Sequence, residues 1–239
     1  MSTALVLGAG GLWAVWEVGV WKALRTRFRP DLVVGASAGS WNGWAIAGGC
    51  TPEELEEKWL DPATGAILKY GLHPTGCLRP ETLWEQARQL HDRFRPRIPY
   101  GLTMVEVPRM RLRLVRGGEV TWRHLAASCS IPLGFPPVEI DGRRYVDGGL
   151  LGGVPLWAAE EMGARRAVAL NVLTTWHFRL ARRAMWLRQP TGALDVLSLE
   201  PSGRLGKLRD AVVWSKDNIR RWIALGEEDG TRALPSITM

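Results

Sequence analysis

The chain has 239 residues, 46% of them hydrophobic, which is enough to bury a substantial core within one α/β domain and excludes a disordered chain. A net charge of +7 suits an anionic membrane surface or nucleic acid as partner, while no apolar run is long enough to span a bilayer. Cys50, Cys77 and Cys129 lack CxxC or His/Cys metal spacing, so they are expected to be reduced and structural, with neither a disulfide framework nor a metal centre.

In chain order, Met1-Ser2 passes directly into Thr3–Leu7, a buried parallel-strand pattern without a basic leader, which predicts a soluble, unprocessed, cytoplasmic protein. Gly8-Ala9-Gly10-Gly11 ends that strand. A helix is predicted over 13–25, with Trp13, Trp16, Val20, Trp21 and Leu24 on one face and Gly19 marking a close contact with another element. A dinucleotide fingerprint is poorly met, because Trp13 stands at the third glycine position and the second strand runs into Gly35 without an acidic residue. Consecutive amides at Gly10 and Gly11 instead make a nest suited to an oxyanion.

The second strand runs into Gly35-Ala36-Ser37-Ala38-Gly39, the strand, tight turn and helix context of a nucleophile elbow. Ser37 is the candidate nucleophile, and the small residues Gly35 and Gly39 let neighbouring chain pass close to a strained turn. The helix starting near Ser40 directs its positive end at the serine oxygen. Adjacent parallel strands deliver their C-terminal ends to one sheet edge, so nest and serine should emerge side by side.

Residues 40–48 read as a short helix, and Thr51-Pro52-Glu53-Glu54 as a capping box opening a helix to Trp59. The loop-rich stretch 61–76 reads as a lid or surface excursion, and 80–92 as a helix. Residues 102–107 and 111–115 are predicted strands and 121–128 a short helix. A hairpin of 138–140 and 143–146 then delivers Asp147-Gly148-Gly149, which by itself would serve as an ordinary turn. Residues 155–162 read as a helix and 167–172 as a late buried strand. Basic and apolar residues interleave over 176–188, a segment suited to a membrane surface or to a solvated helix face. A terminal helix is predicted over 205–225, with a mobile tail beyond Gly226. Most of the 13 tryptophans are assigned to the core, with a lipid-facing rim as the alternative.

Three stretches together resemble the bacterial patatin-like phospholipases. They are Gly8-Ala9-Gly10-Gly11 opening a helix with Val18-Gly19-Val20; Gly35-Ala36-Ser37-Ala38-Gly39-Ser40; and Ala127-Ser128-Cys129-Ser130-Ile131-Pro132 to Phe135-Pro136-Pro137 with Asp147-Gly148-Gly149. The resemblance spans about residues 3–172, and 173–239 are expected to add a helical part to the same single domain, 1–239. It implies a three-layer α/β/α fold with a mainly parallel central sheet and the elbow after the second strand. It also implies a Ser37–Asp147 dyad without histidine, an oxyanion hole from the Gly10 and Gly11 amides, and no metal or cofactor. Substrates would be acyl esters of phospholipids, lysophospholipids and related lipids. Two positions depart from the pattern. Trp13-Ala14 stands where the family usually has a basic residue and glycine, which leaves the preference between charged phospholipids and neutral esters open. Gly152-Gly153 precedes Val154-Pro155 where members often carry asparagine.

An unperturbed aspartate, with pKa about 3.9, falls short of a base matched to pH 7 by about 4 kcal/mol. The dyad therefore needs burial to raise Asp147 and a well-formed nest. One alternative is a triad of Ser37, Asp147 and His177, whose chain order matches the α/β-hydrolases; His73, His91 and His124 read as surface or loop residues. The other is a catalytically inactive lipid-binding or interaction module of the same fold. Without base-stacking motifs nucleic acid is not expected, so the partners implied are a lipid ester substrate and peripheral contact with an anionic membrane. Oligomeric state has no signal in the sequence.

Overall fold

The computed structural model describes residues 2–73, 76–174 and 192–237. The chain begins with β1 (Thr3–Leu7), turns through a 3-10 segment at Gly11–Ala14 into α1 (Val15–Leu24), and continues with β2 (Leu32–Ala36) and α2 (Ala38–Ala47). The expected capping box opens α3 (Pro52–Leu60): Glu54 N donates to Thr51 Oγ1 at 3.2 Å and Thr51 N to Glu54 Oε2 at 2.9 Å. The stretch expected as an irregular excursion is more ordered than its proline and glycine content implied. It holds the short helix α4 (Pro62–Gly65) and a hairpin of β3 (Tyr70–His73) and β4 (Gly76–Leu78), which leads into α5 (Pro80–Arg93). Next come β5 (Tyr100–Val107), β6 (Arg111–Arg116), α6 (Trp122–Ser128) and the hairpin of β7 (Val138–Ile140) and β8 (Arg143–Asp147). The described chain closes with α7 (Leu156–Glu161), β9 (Arg166–Leu170), β10 (Asp195–Leu199) and α8 (Lys216–Ala233).

Among the described residues the central sheet has eight strands in the order β10-β9-β1-β2-β5-β8-β7, with β6 also paired to β5. Strands β10, β9, β1, β2 and β5 run parallel, and the β5–β8, β7–β8 and β5–β6 pairs are antiparallel. Side chains alternate across this sheet with period two. Leu5, Leu7, Val33, Val168 and Leu170 face a core shared with α1, α2 and α8; Ala4, Val6, Leu32, Val34, Ala167 and Ala169 face a smaller core closed by α7. Covering both faces makes β1 and β2 buried at every position, which is why their sequences are apolar rather than alternating. The result is the expected three-layer architecture. Among the described residues no helix is long and apolar enough to cross a membrane.

Helix α8 lies against α1 at backbone distance. A Cβ on Gly19 would sit 2.0 Å from the Ile223 carbonyl oxygen, and one on Gly226 would sit 2.1 Å from that of Trp16. The close contact expected at Gly19 is therefore made. The terminal helix, however, is displaced from the predicted 205–225 and runs on past Gly226, where a mobile tail was expected. Gly226 and Gly230 are not breakers here; they are the small residues that let the two helices approach. Beyond them Asp229 is anchored, its Oδ2 accepting from Trp16 Nε1 at 2.9 Å and from Ser202 N at 3.1 Å. Strand β10 was not anticipated either. The basic segment 176–188 lies outside the described residues.

Candidate active site

The elbow forms where β2 ends, in the strained conformation its small residues imply. Ser37 has φ 54° and ψ −133°, a region that a side chain-bearing residue occupies only when its surroundings hold it there. The surroundings do so closely: a Cβ on Gly35 would lie 2.4 Å from the Gly39 carbonyl oxygen, and one on Gly39 would lie 2.4 Å from that of Gly8. Ser40 Oγ donates to Ser37 O at 2.6 Å, and Ser37 N donates to Ser128 Oγ at 3.1 Å. Ser128 Oγ in turn donates to Thr103 O at 2.9 Å, tying the turn to β5.

Strand register explains how a residue 110 positions away reaches this serine. Along β5, Ala36 pairs with Thr103 and Asp147 with Met104, while β6 pairs with 101–106. Because β6 overlaps both partners, β2 and β8 must share the other edge of β5. They meet there end to end, one rising and one descending, so that Ser37 and Asp147 emerge at the same junction. Ser37 Oγ donates to Asp147 Oδ2 at 2.6 Å, in the short range of a charge-assisted hydrogen bond. Gly149 N donates to Asp147 Oδ1 at 2.6 Å, and Asp147 N donates to Ser130 O at 2.9 Å. Both side chains are buried. Removal from water pushes the Asp147 carboxyl up to about 7, against the opposing hydrogen bonds from Ser37 and Gly149.

The glycine loop lies beside this pair. Gly8 N donates to Leu170 O at 3.1 Å and Ala9 N to Gly153 O at 2.6 Å, whereas the amides of Gly10 and Gly11 have no hydrogen-bond partner among the described residues. A Cβ on Gly149 would lie 2.3 Å from that of Ala9, so the turn carrying Asp147 packs directly on the loop. Gly11 and Ser37 both border one apolar pocket of about 90 Å³, walled by Leu12, Trp41, Trp59, Leu68, Leu83, Ile131 and Phe135 among others. Gly10 does not border it. Trp13, at the position where a basic residue was expected, is buried with its indole N–H unpartnered among the described residues, so it fills the core rather than facing the pocket.

A second layer of polar residues escaped the sequence reading. Asn42 on α2 borders the pocket and joins three helices: its Nδ2 donates to Glu17 Oε2 at 3.0 Å and to Ala14 O at 3.0 Å, and its Oδ1 accepts from Trp59 Nε1 at 3.0 Å. Glu17 is fully buried, and desolvation holds its carboxyl well above the usual range, against the hydrogen bond from Asn42; its Oε1 has no hydrogen-bond partner among the described residues. A lone acid in the first turn of a largely apolar helix was the available signal. Of the histidines, His91 stacks on Trp44 with ring centroids 5.4 Å apart and His124 bonds to Thr121; neither touches Ser37 or Asp147. His177 lies outside the described residues.

The patatin-like phospholipase family model matches residues 5–102 and 118–160, and the chain belongs to that family. It is 29% identical over 186 residues to patatin-like phospholipase domain-containing protein 6 of Mus musculus, an alignment covering 72% of this chain and 13% of that protein. Identity is 27% over 193 residues to a lysophospholipase of Mycosarcoma maydis, covering 72% and 10%, and 27% over 223 residues to an uncharacterized NTE family protein of Mycobacterium bovis, covering 81% and 59%. The chain thus spans a small part of the mouse and fungal relatives. In three dimensions it resembles VipD from Legionella pneumophila, with a TM-score of 0.53 at 11% identity over 98% of this chain and 66% of that one, a likeness of fold.

Proposed function

We propose that this chain is a serine acyl hydrolase that cleaves carboxylic esters of lipids through an acyl-Ser37 intermediate, with Asp147 as its base. The 2.6 Å hydrogen bond from Ser37 Oγ to Asp147 at the border of an apolar pocket carries the reading. In this mechanism Ser37 attacks the ester carbonyl while its proton passes to Asp147 Oδ2, and the oxygen that becomes negative is met by the amides of Gly10 and Gly11 and the positive end of α2. Collapse expels the alcohol, which takes the proton back from Asp147. Water, activated by the same carboxylate, then releases the acid from Ser37. A base at about pH 7 removes the deficit of about 4 kcal/mol that an ordinary aspartate would carry. Direct contact between hydroxyl and carboxylate supports a dyad over a triad, since an intervening imidazole has no place between atoms 2.6 Å apart.

The pocket's apolar walls favour an acyl chain, and the family and the name of the fungal relative favour phospholipid or lysophospholipid esters. Residues 1–239 would act as one domain, a view supported by the packing of α8 on α1. A soluble nitrophenyl ester assay on wild type and Ser37→Ala tests the proposal, together with labelling by an organophosphonate. Hydrolysis should fall by at least a thousandfold in the variant and the label should sit on Ser37. Equal rates in the two proteins would remove the enzyme reading.

A further inference from the structure

Two sets of exposed apolar residues stand on segments that adjoin the walls of the pocket. Leu133, 87% exposed, is the tip of the loop whose Ile131 and Phe135 line the pocket wall. Cys77 N donates to Leu133 O at 3.1 Å and Leu78 N to Gly134 O at 2.9 Å, joining the β3–β4 hairpin to that loop. The hairpin carries Tyr70, 83% exposed. The second cluster is Leu208, Val212 and Val213, all exposed. It is held against the glycine loop at Ala211, whose carbonyl oxygen would lie 2.5 Å from a Cβ on Gly11. Leu133 also has φ 68°, a conformation disfavoured for leucine. A leucine that is both strained and in water gains nothing from the fold it belongs to.

Cations stand among these tips. Lys69, Arg79, Lys207 and Arg209 are exposed, against the acids Glu81 and Asp210. Asp210 is already engaged by the Lys207 amide at 2.8 Å and by Arg209 at 3.6 Å. Apolar tips flanked along the chain by exposed cations match the two parts of an anionic bilayer surface, acyl region and headgroups. The same charge would repel a second copy.

We propose that the β3–β4 hairpin, the Leu133 loop and the segment 207–213 form a docking face for anionic phospholipid surfaces, which seats the pocket mouth on the bilayer. This assigns contact to a surface other than the basic segment 176–188. It rests on the lipid-ester reading only for what then enters the pocket; docking itself needs no catalysis. Co-sedimentation of the Ser37→Ala chain with phosphatidylcholine vesicles, with and without phosphatidylglycerol, measures it.

Binding should be tighter to the anionic vesicles. Leu133→Asp with Leu208→Asp should lower partitioning about tenfold or more, and Lys69→Gln or Lys207→Gln about fivefold each on anionic vesicles. In a chain with Ser37 intact, the aspartate pair should cut hydrolysis of vesicle lipid while leaving a soluble nitrophenyl ester unaffected. Unchanged partitioning of the aspartate pair overturns the proposal, as does light scattering that shows the tips pairing two copies. Inactivity of wild type toward the soluble ester would instead sink the hydrolase reading and leave the docking result standing.

Discussion

Asp147 and Glu106 are both covered carboxylates, on the adjacent strands β8 and β5, and they sit in opposite electrostatic states. Glu106 is surrounded by guanidiniums: Arg113 Nη2 lies at 2.6 Å, Arg109 Nη1 at 2.9 Å and Arg143 Nη1 at 3.9 Å. The hydrogen bonds from Arg113 and then Arg109 hold its carboxyl below the usual range. The groups covering it are themselves half in water, so it feels charge more than confinement. Asp147, two strand positions away in the register, has a hydroxyl and an amide as partners among the described residues, and burial raises it to about 7. Coverage alone does not set protonation; the identity of the covering groups does. A fixed ion cluster stabilises the outer part of the sheet, and the withholding of cations from Asp147 leaves a group able to accept and return a proton.

The largest effect expected from breaking this contrast is at Asp147 itself. Asp147→Asn should lower kcat/KM for a soluble ester about ten-thousandfold. It should also stabilise the fold. A folded pKa near 7 against 3.8 unfolded means that the native state binds more protons between those values, so stability falls as pH rises from about 4 to 7 and is level above. The ionised carboxylate thus costs about 4 kcal/mol at pH 8, and thermal melts should show the asparagine variant more stable there, by a margin that shrinks toward pH 5. A variant that melts below wild type at pH 8 would contradict the burial argument.

The wild-type pH profile sharpens the same point without a substitution. If Asp147 must be ionised to take the serine proton, kcat/KM on a soluble ester rises about tenfold per unit below an apparent pKa near 7 and is level above it. A profile flat down to pH 5 would show a base resembling Glu106, held ionised by a cation.

These two states were unequally legible in the sequence. The elbow was readable because strain demands small residues in fixed order, and Gly35, Ser37 and Gly39 announce it locally. Asp147 was flagged by the resemblance, since Asp-Gly-Gly alone reads as a turn; what brings it to Ser37 is the end-to-end meeting of β2 and β8, a relation of register that no local pattern encodes. The strands β9 and β1 were legible as apolar runs, while β10 was not: at the sheet edge its Asp195 and Ser198 dilute the pattern. Gly226 misled for a related reason. Glycine punctuates a lone helix, but against α1 it is what allows contact.

Glu17 lies between the two extremes, buried like Asp147 but used for bracing. Burial holds its carboxyl well above the usual range, and the hydrogen bond from Asn42 fixes it where the glycine-loop helix meets the elbow helix. Glu17→Ala should lower kcat by tenfold to a hundredfold with a smaller change in KM, because loop and serine lose their common strut, and should cost about 2–4 kcal/mol of stability. Glu17→Gln, nearly isosteric with the acid, should restore most of kcat. Equal losses in the two variants would point to titration at Glu17 rather than to bracing.

The smallest effect on activity is expected at Glu106. Glu106→Gln leaves Ser37, Asp147 and the pocket untouched, so kcat and KM for a soluble ester should match wild type across the pH range. Stability should respond instead. Because the folded pKa is depressed, the contribution of Glu106 is present above the ordinary glutamate range and is lost as pH falls through the folded value. The variant should therefore melt a few degrees below wild type at neutral pH, with the gap closing in acid and narrowing in high salt as the three guanidiniums are screened. If Glu106→Gln slowed hydrolysis as well, the ion cluster would be setting the position of β8 at the junction, and the two carboxylates could no longer be treated as independent.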